Sequence, residues 1–160
     1  MENKKEKLED FKTAISSTVR SITNSTKIEI SFGAQVTKSK KNSIKLPDLT
    51  HISNKINYEE IRAVADSKSL NFRFSNRQIF KKYEPEGNIS KKLYEISEKI
   101  RCEKIGVNYF KGIKKNIEKH YQSRIAGLDF KTSEDKIIES FENYLRINFL
   151  EFKNQSYIEK

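Results

Sequence analysis

Leu8, Phe11, Ile15, Val19 and Ile22 recur at spacings of three and four, one face of an amphipathic helix over about residues 6–23. Asn24, Ser25 and Thr26 stop it, and Lys27-Ile28-Glu29-Ile30-Ser31-Phe32 then alternates as a half-buried strand does, up to Gly33. Residues 34–57 are polar and irregular, except for Ile44-Lys45-Leu46 ahead of Pro47, a short run able to pair with the first strand as a small β-hairpin. The Lys38–Lys41 cluster between the two reads as an exposed loop. Asn54 or Asn57 caps a helix over about residues 58–83, with Glu59 and Glu60 in its first turn, where the dipole favours them. Leu70, Phe72 and Phe74 inside it fit a strand equally well. Glu84-Pro85-Glu86-Gly87 is a turn, followed by one long central helix over about residues 89–122 and a loop at Ala126-Gly127-Leu128. Thr132 or Ser133 caps a last helix, about 134–152, carrying Ile137, Ile138, Phe141, Tyr144, Leu145 and Phe149. The expected fold is mainly α with a small β-hairpin, in a single domain over residues 1–160 with 1–5 and 153–160 frayed.

The central helix breaks local rules. Ile89, Leu93, Ile96, Ile100, Val107 and Phe110 share one stripe, and Glu103 lies on it. Gly106 and Gly112 stand in the interior, where each costs about 1 kcal/mol relative to Ala, so both read as close-packing glycines. Past residue 110 the apolar side changes: Lys104, Lys111, Lys114, Lys115 and Glu118 occupy the former stripe, while Ile105, Tyr109 and Ile113 run along the opposite side. The helix either passes between two sets of neighbours or bends near Gly106–Gly112. Glu98, Arg101 and Glu103, with Asn116 further along, form a polar cluster at or near the core, for which Arg62 and Asp66, spaced i,i+4 on the preceding helix, are candidate partners. A structural ion-pair network is the plainer account of these residues, and a ligand or subunit-contact site the sharper one.

Composition removes several classes of function. Cys102 alone excludes an internal disulfide framework and a cysteine-rich zinc site, and His51 and His120 are too few for a histidine-rich metal site. MENKKEKLEDF has no apolar core and is not a signal peptide, and no apolar run approaches the ~20 residues that span a bilayer, so the expected location is cytoplasmic. A net charge of +10 invites a nucleic-acid reading. The excess is spread evenly, however, as +4, +3 and +3 over residues 1–50, 51–100 and 101–160, and 25 of the 32 basic residues are Lys. A basic patch of Lys111, Lys114, Lys115 and Lys119 remains as the alternative, a nucleic-acid-binding helical module, but without interleaved aromatic residues it reads first as a solvated face.

No catalytic motif survives inspection. Asp66-Ser67-Lys68-Ser69-Leu70 has its serines out of register for a metal-ion-dependent adhesion site. Gly106 to Gly112 is not a phosphate-binding loop, since the spacing is one too long and no Gly-Lys pair follows. Cys102 has no nucleophile context, and His120 sits near a helix C-terminus as a dipole-favoured surface residue.

Several of these residues carry a resemblance. Phe11-Lys12-x-Ala14, Ser17-Thr18-Val19-Arg20, Phe32-Gly33-Ala34, Leu46-Pro47, Ile61-Arg62 and Ala65-Asp66-Ser67 occur in order. They lead into the more specific Tyr83-Glu84-Pro85-Glu86-Gly87, Glu98-x-x-Arg101-x-Glu103-x-x-Gly106, Gly112-Ile113-x-x-Asn116 and His120-Tyr121. In this the chain resembles the N-terminal region of the T subunit of aerobic cobaltochelatase. The resemblance implies a non-catalytic part of a three-subunit enzyme that inserts cobalt into a corrin, hydrogenobyrinic acid a,c-diamide. The partners it implies are an AAA+ ATPase subunit and a large corrin-binding subunit, with cobalt and ATP-Mg used by the complex and no cofactor bound by this domain. Longer members continue into an acidic linker and an adhesion-site domain, so the chain looks like the N-terminal domain alone. Where many relatives have a histidine after Phe74-Ser75, Asn76 stands here.

Overall fold

The apolar repeat that begins at Leu8 forms α1 (Glu2–Thr23), with Ile15 and Val19 fully buried. In the computed structural model, residues 2–33, 42–49, 57–127 and 132–152 are described; the Lys38–Lys41 loop, His51, Asn54, Leu128 and the tail 153–160 lie outside them. The chain divides into two compact units, Met1–Arg73 and Phe74–Lys160.

In the first unit α1 ends where the sequence places its stop. Asn24 takes the left-handed conformation (φ 52°), its N–H donates to the Ser21 carbonyl (3.3 Å) and that of Ser25 to the Arg20 carbonyl (3.2 Å). This pair of bonds satisfies two of the carbonyls that a helix end leaves open. Two short strands follow, β1 (Glu29–Phe32) and β2 (Ser43–Leu46), in the register Ile30↔Ile44 and Phe32↔Leu46. They pair parallel, so the expected hairpin is corrected. Alternation fixes which face of a strand is buried but not its direction, since either direction matches Ile30 and Phe32 with Ile44 and Leu46. The separation was the available signal. Ten residues, 33–42, lie between the strands, whereas hairpin loops run two to five.

α2 (Tyr58–Phe74) covers this pair. The Asn57 side chain caps it by accepting from the Glu60 N–H (3.2 Å). Ile15, Val19, Ile28, Ile44, Leu46 and Ala65 make one core, with Phe11, Ile30, Phe32, Val64 and Phe72 packed around it. Each fully buried aliphatic side chain there contributes about 1.5–3 kcal/mol. Two long side chains of α2 fasten it to its neighbours: Lys68 Nζ donates to the Lys45 carbonyl (2.6 Å) and Arg73 Nη1 to the Ile22 carbonyl (2.7 Å).

The second unit contains α3 (Arg77–Lys82), α4 (Asn88–Tyr109), α5 (Ile113–Ala126) and α6 (Ser133–Leu150). The helix expected over 58–83 is therefore interrupted. Phe74 ends α2, and Asn76 starts α3 by accepting from the Gln78 and Ile79 N–H groups (3.0 and 3.1 Å). An Asn at this position is thus a helix cap. Phe80 stacks on Tyr94 (4.6 Å), whose hydroxyl donates to the Phe80 carbonyl (3.2 Å), setting α3 on α4. α4 packs against both α5 and α6.

The long central helix is likewise two helices. α4 stops at Tyr109, Phe110 is extended, and Gly112 adopts φ 92° before α5 begins. The change of apolar side seen in the sequence marks this break. Tyr109 is 72% exposed and stacks on Phe74 (5.9 Å), so it does not belong to a buried stripe. Gly112 is no close-packing glycine either, because a Cβ there meets nothing within 4 Å; the position needs glycine for its backbone angle. Gly106 is buried inside α4.

Gly33 differs from Gly112. It combines φ 84° with a Cβ position 2.9 Å from the Asp48 carboxyl carbon. Gly112→Ala is expected to lower stability by about 1–2 kcal/mol, the cost of a left-handed alanine. Gly33→Ala is expected to cost more, because steric displacement of Asp48 adds to the same backbone term. Urea unfolding of the two variants side by side checks the order; equal losses contradict it.

Candidate functional site

The three helices α4, α5 and α6 enclose charge. Arg146, one turn before the end of α6 on its inner side, is 2% exposed, and Glu103 of α4 is fully buried. Arg146 Nη1 donates to Glu103 Oε2 (2.8 Å), while Nε and Nη2 donate to Glu142 Oε1 (2.9 and 2.7 Å). Arg124 of α5 donates to the other oxygen of Glu142 (2.8 Å) and closes a two-bond fork on Glu139 (2.7 and 3.0 Å). Lys99 Nζ stands 3.8 Å from Glu142. Three carboxylates and three cations therefore balance within one cluster.

Aromatic rings wall it. The Arg146 guanidinium lies 4.5 Å from the Tyr121 ring centroid and 5.7 Å from that of Phe152, and that of Arg124 lies 5.1 Å from Tyr121. Such contacts add attraction where water is excluded. The backbone contributes as well, since the N–H groups of Glu151 and Phe152 both reach the Arg146 carbonyl at the end of α6. The Tyr121 hydroxyl is buried with no hydrogen-bond partner among the described residues.

Burial pushes the Glu142 carboxyl up, but Arg146, Lys99 and Arg124 outweigh it and hold the group below the usual carboxylate range. Burial likewise opposes the charge on Arg146, which Glu103 and Glu142 restore and reinforce. Burial drives the Tyr121 phenol upward, with Glu142 adding to the effect, so it stays neutral. Glu142 and Arg146 thus keep their charges against burial, each through the field of the other.

The residues singled out in the sequence fall in four places. Arg62 and Asp66 belong to the first unit, Arg62 exposed and Asp66 buried. Glu98 and Arg101 form a separate fork on α4: Arg101 Nε and Nη2 donate to the two Glu98 oxygens (2.7 and 2.9 Å), and Nη2 also to the Phe74 carbonyl (2.8 Å). This bond from Arg101 is the main cause that lowers Glu98. Arg101 is about half exposed, so the pair adds little stability. Glu103 alone enters the buried network, and its partner is Arg146. Asn116 is half-buried on α5, its N–H reaching the Gly112 carbonyl (3.3 Å). Beside the fork, burial and then Glu98 push the Cys102 thiol up to about 12, which leaves it protonated and unreactive.

Sequence reasoning missed Arg124, Glu139, Glu142 and Arg146. The signal was present: Glu139, Glu142 and Arg146 follow one another at i+3 and i+4 and share their face with Leu150. The sequence reading of that helix rests on its apolar residues alone. Among the described residues no group of three or more His, Cys, Asp or Glu is arranged to hold a metal.

A family model described as cobalamin biosynthesis protein CobT matches residues 5–143. The chain belongs to the CobT family. Its role therefore lies in cobalamin biosynthesis, as the collinear motifs implied. The CobT match takes in Glu98, Arg101, Glu103, Arg124, Glu139 and Glu142 and ends before Arg146. No solved structure matches the chain.

The Glu142 shift fixes a pH response. A carboxyl lowered in the folded state contributes stability that is complete above the ordinary glutamate range, about pH 4–5, and is lost as pH falls through its folded value. The melting temperature is expected to hold from pH 7 to about 5 and then fall, and Glu142→Gln is expected to flatten that fall. A variant with an unchanged acid limb contradicts the assignment.

Proposed function

We propose that this CobT chain serves an ATP-dependent cobaltochelatase as the N-terminal region of its T subunit. In this reading it assists cobalt insertion into a corrin, hydrogenobyrinic acid a,c-diamide, through contact with the AAA+ ATPase subunit, and it performs no chemical step of its own. One observation carries the non-catalytic part: the acids and bases of the α4–α5–α6 network are matched to one another. Glu103, Glu139 and Glu142 are matched by Arg124 and Arg146 at 2.7–3.0 Å, and Cys102 is held as a thiol. Such a core rigidifies a scaffold and offers no nucleophile to a substrate. Cobalt is cargo here, and ATP-Mg is handled by the ATPase subunit. The large corrin-binding subunit completes the complex.

The geometry gives less support to the basic-patch alternative. Lys114 of the patch shares Glu151 with Lys104, at 3.6 and 3.7 Å, so part of its charge is answered within the chain. No described helix is long and apolar enough to cross a membrane.

Reconstitution tests the reading. The purified chain is mixed with the ATPase and corrin-binding subunits, and co-elution and cobalt insertion are followed with and without it. The expected result is a stable complex with the ATPase subunit and insertion that depends on the chain. Failure to bind any chelatase subunit sinks the proposal, and affinity for DNA or RNA that falls steeply with salt supports the alternative.

A further inference from the structure

A phenol is enclosed in the ion network of α4, α5 and α6. Tyr121 of α5 is 4% exposed. Its ring has the Arg146 guanidinium at 4.5 Å, that of Arg124 at 5.1 Å and the Phe152 ring at 6.3 Å, tilted by 47°. The ring is thus accounted for, and the hydroxyl is not. It lies out of reach of solvent and accepts or donates no hydrogen bond among the described residues. Among those residues it is the one buried side-chain nitrogen or oxygen in this position, so the hydroxyl stands out from a network that otherwise satisfies its polar atoms.

A hydroxyl taken out of water without a replacement carries its full desolvation penalty. Buried polar atoms are therefore partnered almost without exception, and where the chain supplies no partner an ordered water does. The surroundings of Tyr121 select the ligand. Arg124 and Arg146, which lie against its ring, are bound to Glu139, Glu142 and Glu103. Charges in this cluster already balance, so an added cation or anion would stand uncompensated in a site closed to solvent. The ligand is neutral for that reason. It is also small, because Tyr121 and Phe152, at 4% and 5% exposure, leave no open side. A phenol donates one hydrogen bond and accepts others, and a carboxylate offers about four acceptor positions. Water both accepts from the one and donates to the other. We infer that the Tyr121 hydroxyl holds one buried water molecule, seated among the ion pairs of α4, α5 and α6. The phenol joins the network through that water rather than through a side chain.

A high-resolution crystal structure of the full chain reads this directly. The expected result is a single density peak about 2.5–3.0 Å from the phenolic oxygen. No peak there, or a protein group from outside the described residues in that place, overturns the inference. Tyr121→Phe supplies the test in solution, since it keeps the ring with its cation contacts and removes only the hydroxyl. The variant is expected to melt about 2–4 °C below the parent, the shift that one lost hydrogen bond brings in a chain of this size. A melting temperature equal to or above the parent's is the signature of a hydroxyl that had no partner, and overturns the inference. Magnetic relaxation dispersion of the solvent, which counts long-lived internal waters, is expected to find one fewer in the variant; equal counts overturn it as well. Should Tyr121→Phe fail to fold, the density at the parent's phenolic oxygen decides alone.

Discussion

A guanidinium removed from water must be neutralised where it stands, and Arg146 meets that requirement with two carboxylates from different helices. Glu103 reaches it from α4 and Glu142 from one turn back on α6, while Arg124 brings α5 into the same cluster. Taking such groups out of water costs several kcal/mol per ion, so each is tolerable only while its partners are in place. The rotation of α6 follows from this. With Glu139, Glu142 and Arg146 turned inward, the residues about half a turn away, Ile137 and Tyr144 among them, face outward. Buried polarity and exposed apolarity on this helix are two sides of one constraint.

The sequence made the helical elements legible and left their interruptions obscure. The stripe Leu8–Ile22, the cap at Asn57 and the burial of Glu103 in an apolar stripe were all readable, because period and capping chemistry are local. The break at Phe110–Gly112 reads from the sequence either as a bend near Gly106–Gly112 or as one helix between two sets of neighbours, because the same switch of apolar side arises from each. Phe74-Ser75-Asn76 hid a second break, since only the cap geometry of Asn76 distinguishes a fresh helix from a continued one. Strand direction is not set by the alternation of either strand, and only the ten residues between the strands hinted at it.

The site was half legible for a related reason. Glu103 announced itself as a carboxylate out of place, but its partner lies 43 residues away in sequence, and no local rule links the two. On α6 the apolar residues drew the eye, although an amphipathic pattern does not say which side is inside. Family membership in turn gives the chain a biosynthetic setting without assigning tasks to these residues. The proposed reading of the network as a scaffold rests on its geometry, in which Glu103, Glu139 and Glu142 are matched by Arg124 and Arg146.

The pairing of Glu103 with Arg146 is where the account is most exposed to test, and a double-mutant cycle measures it directly. Glu103→Leu, Arg146→Leu and the double variant are compared by urea unfolding at pH 7. Each single change strands a buried charge and is expected to cost about 3–5 kcal/mol, with the double variant losing markedly less than the sum. Additive losses, or singles no worse than ordinary surface substitutions, contradict the claim that this ion pair sets the packing of α6.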